Sequence, residues 1–118
     1  MLKDQNGFKF LDKGEGEPLI LLHGLIGELS NWDAVVDHFS NQYRVIIPAL
    51  PIYSIPVRKL GLETLTDFLE SFVDFLALDQ INLMGNSLGG HIGLIYALRR
   101  KEKVKRLILT GSSGLFEN

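Results

Sequence analysis

Apolar residues along the chain fall into two kinds of pattern. Some are short continuous runs, and the others recur every three to four positions. Pro18-Leu19-Ile20-Leu21-Leu22 is a continuous run, as a strand buried on both faces requires. Tyr43 to Ile47, Gln80 to Met84 and Val104 to Thr110 read the same way, and Phe8 to Asp12 reads as a shorter strand. Leu65, Phe68, Leu69, Phe72, Val73 and Leu76 keep helical spacing. A helix is also predicted from Ser30 or Asn31 as N-cap, with Trp32, Val35, Val36 and Phe39 as its buried stripe. A third helix is predicted from Leu88 to about Lys101. Lys13 to Glu17 is a turn by its glycines, and Pro48 to Gly61 is a long proline-rich loop. Strands alternating with helices predict an α/β fold: a three-layer αβα sandwich around a mostly parallel sheet of about five strands. Ligands of such sheets sit at the carboxyl ends of the strands, where His23, the long loop, Ser87 and the Gly111-Ser112-Ser113-Gly114 loop all fall.

Composition narrows the class. The 118 residues fit one domain, with 46% hydrophobic and 22% charged residues. A net charge of −2 argues against nucleic acid or an anionic membrane as partner. With no cysteine, disulfides, thiolate metal sites and a thiol nucleophile are excluded. The first seven residues show no signal-peptide h-region, and no run is long enough to cross a membrane, so a cytoplasmic location is expected. The basic run Arg99 to Arg106 is read as cations at a helix C-terminus and a solvated connection. G-x-x-x-x-G-K is absent, and the serine at position 87 breaks a dinucleotide-binding G-x-G-x-x-G.

The candidate chemistry lies at Gly85-Asn86-Ser87-Leu88-Gly89-Gly90, a G-x-S-x-G directly after a predicted strand and at the start of a predicted helix. A chain that turns from strand to helix on one residue strains that residue and exposes its side chain. Gly85 and Gly89 leave room for the turn, and Ser87 becomes the candidate nucleophile. A serine attacking a carbonyl needs N–H donors for the oxyanion. The N–H of Leu88 is one, and the loop His23-Gly24-Leu25-Ile26-Gly27 offers that of Leu25, with Ile26 as substitute. His23 reads as a structural loop histidine that bonds the backbone.

These motifs resemble the α/β-hydrolase superfamily over almost the whole chain, from Phe8 to about Gly114. His23-Gly24-x-x-Gly27 is similar to its oxyanion loop, Trp32 to its following helix, and the segment around Ser87 to its nucleophile elbow. The resemblance is nearest to small esterases and carbon–carbon bond hydrolases. It implies acyl transfer through an acyl-enzyme on Ser87, a small ester or other acyl substrate, and no metal or cofactor. Two departures stand out. The stretch Ala49 to Ile55 lacks the acid and glycines of the family's Asp-x-x-Gly-x-Gly-x-Ser, although Ile52 and Tyr53 are candidate pocket residues. The family order is nucleophile, acid, histidine. After Ser87 the only histidine is His91, one helical turn away and aimed off the site, and the only later acids are Glu102 and Glu117. His38 reads as a solvated residue of the first helix. The resemblance therefore covers an N-terminal part of the fold, without cap, last strands and catalytic histidine. A second reading follows: a truncated or engineered non-catalytic module whose apolar edge strand, 104–110, pairs with a second copy.

Overall fold

The computed structural model describes residues 2–23, 33–51 and 61–111. The elements are β1 (Leu2–Gln5), β2 (Phe8–Lys13), β3 (Glu17–Leu22), α1 (Asp33–Phe39), β4 (Tyr43–Pro48), α2 (Leu62–Leu76), β5 (Ile81–Asn86), α3 (Leu88–Arg99) and β6 (Val104–Thr110). A 3-10 turn, Lys101–Lys103, joins α3 to β6. The strands make one six-stranded sheet in the order β1-β2-β4-β3-β5-β6. β4, β3, β5 and β6 run parallel, and β1 and β2 add an antiparallel extension beside β4. The α/β fold with a mostly parallel sheet is as expected, with one strand more.

The extra strand is β1, which pairs with β2 across Asn6-Gly7. Both turn residues have positive φ, 53° and 83°. That two-residue geometry matches the twist of the flanking strands, and asparagine and glycine are the residues that tolerate it. Asp12 of β2 ties the extension together. It accepts from Arg44 Nη2 of β4 at 2.8 Å and from Lys3 Nζ of β1 at 3.3 Å. Burial would raise its pKa, but the bonds and charges of Arg44 and Lys3 more than reverse this and hold it below the usual value.

The continuous apolar runs are explained by the two faces of the sheet. Ile20 and Leu22 of β3 and Ile46 of β4 pack toward α2 and α3, together with Leu69, Phe72, Ile92 and Tyr96. Leu19, Leu21, Val45 and Ile47, the alternate positions, pack toward α1 with Val36. A strand covered on both faces has no polar side to alternate with. α2 buries Leu65, Leu69, Phe72 and Val73 and ends on Ala77 in the left-handed region. Its Phe72 lies 5.3 Å from the ring of Phe8 and 5.2 Å from that of Phe10, which fastens the helix to β2. α3 is fully buried at Gly89, Gly90, Ile92, Gly93 and Tyr96, so it lies close against the sheet. The Tyr96 hydroxyl has no hydrogen-bond partner among the described residues, and burial pushes its pKa up to about 12.

The basic run is largely engaged by acids. Arg99 lies 2.7 Å from Asp67 and 2.8 Å from Glu70 of α2, and Arg100 bonds Glu70 and Glu102. Lys105 reaches Glu17 at 3.1 Å, and Lys103 donates to the Leu78 carbonyl. β6 is the last strand of the sheet among the described residues, and Ile108 on it is 41% exposed.

Candidate active site at the β5–α3 junction

β5 ends at Asn86 and α3 begins at Leu88, so Ser87 alone makes the turn between them. Its backbone sits at φ 56°, ψ −120°. A non-glycine residue in such a region costs about 1–3 kcal/mol and persists only where its surroundings hold it there. Three hydrogen bonds do so. The Ser87 N–H donates to the Thr110 carbonyl of β6 at 3.0 Å, and the Ser87 carbonyl accepts from Gly90 N–H at 3.0 Å and from His91 N–H at 3.2 Å. The residue is exposed, as is Asn86 before it.

The flanking glycines are needed sterically. A Cβ on Gly85 would stand 2.5 Å from the Gly89 oxygen and 2.6 Å from Gly90 Cα. A Cβ on Gly89 would run into the Leu22 carbonyl of β3 and stand 2.7 Å from the His23 oxygen. Their absence lets the first turn of α3 sit on the carboxyl end of β3. Gly90 is buried beside them. Because the N–H groups of Gly90 and His91 go to Ser87 O, the helix start retains those of Leu88 and Gly89, which have no intrahelical acceptor.

The other candidates are dispersed. His23 is buried at the end of β3, and its Nε2 accepts the Leu50 N–H at 3.2 Å, linking the ends of β3 and β4. His38 is exposed on α1, its ring 4.8 Å from that of Phe39. His91 is half-buried in the first turn of α3. Glu102 lies beyond the opposite end of α3, 3.3 Å from Arg100, with its pKa lowered by a backbone hydrogen bond and by Arg100. Gly24, Leu25, Ile26, Gly27, Ser30, Asn31, Trp32, Ile52, Tyr53, Ser112, Ser113, Gly114 and Glu117 lie outside the described residues. Thr110, at the C-terminal end of β6, was not singled out by any motif. Its carbonyl and hydroxyl nevertheless touch the junction, the hydroxyl lying 3.1 Å from Asn86 Oδ1. Among the described residues no group of three metal-ligating side chains converges, and no helix is long and apolar enough to cross a membrane.

Known proteins resemble this chain in sequence and fold. The family model described as alpha/beta hydrolase fold matches residues 17–118. The chain is similar to 2-hydroxy-6-oxo-2,4-heptadienoate hydrolase of Pseudomonas putida, 34% identical over 88% of this chain and 40% of that protein. It is 32% identical to pimeloyl-[acyl-carrier protein] methyl ester esterase of Nitrosomonas europaea, over 87% of this chain and 40% of the other. Among solved structures, an alpha/beta hydrolase enzyme from the metagenome of sediments of the Mar Chica lagoon, Morocco, superposes with a TM-score of 0.92 at 47% identity. That match covers 99% of this chain and 54% of the other. The chain thus spans about two fifths of the curated relatives' length. A mostly parallel sheet with its strained serine at the strand–helix junction, together with these matches, places the chain in the alpha/beta hydrolase fold family.

Proposed function

We propose that this chain carries the nucleophile of a serine hydrolase acting on a small ester, another acyl group or a carbon–carbon bond next to a carbonyl. The observation that carries the reading is the backbone of Ser87, φ 56° and ψ −120° on an exposed residue between a strand and a helix. Energy spent on an unfavourable conformation needs a reason, and presenting a hydroxyl above the sheet is one. The relatives named as hydrolases of a 2-hydroxy-6-oxo-dienoate and of a methyl ester support the breadth of the substrate class.

In this mechanism Ser87 Oγ attacks the substrate carbonyl carbon and gives its proton to a general base. The carbonyl oxygen becomes an oxyanion, which the N–H groups of Leu88 and Leu25 receive. The tetrahedral species collapses to an acyl-enzyme, and the leaving group departs with a proton from the base. Water then attacks the acyl carbon and frees Ser87. The base and its acid partner are taken to lie outside the described residues, since His23 Nε2 is occupied by Leu50 N–H. No metal or cofactor is needed in any step. Incubation with a fluorophosphonate probe tests the reading: Ser87 is labelled and the Ser87→Ala protein is not, whereas labelling of neither would support the scaffold reading instead. Equal labelling of both proteins would overturn it.

A second reading rests on β6. Among the described residues it is an outer strand of the sheet, and Ile108 on it, 41% exposed, lines a groove with Leu19, Phe39, Tyr43, Met84, Asn82 and Arg106. Such an edge is a template for another strand. Here the chain is a scaffold that pairs β6 with β6 of a second copy. Antiparallel pairing keeps Lys105 and Arg106 of one copy away from those of the other, whereas parallel pairing sets them side by side. Sedimentation of the 118-residue chain should then give a dimer that Ile108→Lys dissociates. A monomer at high concentration would sink the idea.

A further inference from the structure

We infer that Thr110 is a positioning residue for Ser87, a role that rests on Ser87 being the nucleophile. Residues Asn86 and Thr110 are register partners across the β5–β6 pair. Thr110 uses its carbonyl and its hydroxyl on the elbow. Its carbonyl accepts the Ser87 N–H at 3.0 Å. Its hydroxyl lies 3.1 Å from Asn86 Oδ1 and 3.4 Å from the Gly85 carbonyl. One side chain on a neighbouring strand thus contacts both residues that lead into Ser87, and its own backbone holds Ser87 itself.

The arrangement answers a specific problem. The Ser87 carbonyl is held from the helix side by Gly90 and His91. Its N–H faces the other way, toward β6, and without an acceptor there the strained peptide could rotate toward an ordinary strand or helix conformation. β6 supplies that acceptor only if its last residue stays in register. The chain leaves the strand at once, because Gly111 takes φ 56°. The Thr110 hydroxyl is the last side-chain link to β5 before that departure, so it fixes the position of the carbonyl that in turn fixes Ser87.

Thr110→Val keeps the shape and branching of the side chain and removes the hydroxyl, and Thr110→Ser keeps the hydroxyl. Two quantities are measured on each protein: the rate of Ser87 phosphonylation by a fluorophosphonate, and hydrogen-exchange protection of the Ser87 amide. Thr110→Val is expected to lower both by about fivefold, the scale of one hydrogen bond, while Thr110→Ser retains both. Wild-type labelling and protection in Thr110→Val would overturn the inference, and so would equal losses in both variants. If the unsubstituted protein shows no labelling of Ser87, the nucleophile reading fails. Amide protection then decides alone: loss confined to the valine variant supports the clamp, and its absence refutes it.

Discussion

Gly89→Ala is expected to destabilise the protein by about 3 kcal/mol, the upper end of the usual cost of overpacking. The added methyl would meet the carbonyl group of Leu22 and the oxygen of His23. Both are backbone atoms, so no side-chain rotation relieves the clash. β3 cannot retreat, because it is held between β4 and β5 in the middle of the sheet. α3 cannot lift off cheaply either, since Ile92 and Tyr96 anchor it in the core. Gly93 on the same helix is the control. A Cβ there would lie 3.5 Å from side-chain methyls of Leu107 and Leu22, an ordinary contact. Gly93→Ala should therefore gain helix propensity and stabilise by up to about 1 kcal/mol. Urea unfolding followed by circular dichroism compares the three proteins. If the two alanine variants proved equally stable, the close approach of α3 to the end of β3 could not be what the glycine serves.

Much of this fold can be read from the chain because its core strands are apolar on both faces. Leu19 to Leu22 form a run too short for a buried helix and bounded by glycines and a proline, which points to a covered strand, and Leu65 to Leu76 carry the repeat of a helix with one buried side. The elbow is legible for a related reason: its steric demands act on residues next to each other, so Gly85, Ser87 and Gly89 spell them out. β1 is harder. Leu2-Lys3-Asp4-Gln5 has a single apolar residue, and three of its four positions are exposed. Asn6-Gly7 was the available signal, since that pair is a strong hairpin turn. What stays hidden is everything set by pairing between distant segments. The bond from Leu50 N–H to His23 links residues 27 apart. The contact of Thr110 with Asn86 depends on how β6 registers on β5, and no local pattern encodes it. The order of the strands is likewise a property of the packed sheet.

The two ways of removing the Ser87 hydroxyl should differ in their effect on stability. Ser87→Ala and Ser87→Gly are both expected to abolish labelling by an acylating or phosphonylating probe, because neither retains an oxygen to attack with. Alanine keeps a Cβ in a backbone region that side chains avoid, so the strain at φ 56°, ψ −120° stays in the protein. Glycine relaxes it. Against a strain of about 1–3 kcal/mol stands the extra freedom of glycine in the unfolded chain, which costs about 0.5–1 kcal/mol. The net expectation is that Ser87→Gly is more stable than Ser87→Ala by about 1 kcal/mol. Because Ser87 is exposed, loss of the hydroxyl itself should contribute little to either value. Chemical denaturation of the three proteins measures this directly. A glycine variant no more stable than the alanine variant would mean that the junction carries no strain for the serine to hold. A more stable glycine variant, inactive toward the probe, would show that the elbow holds its serine at a cost to the fold, which only a use for the exposed hydroxyl explains.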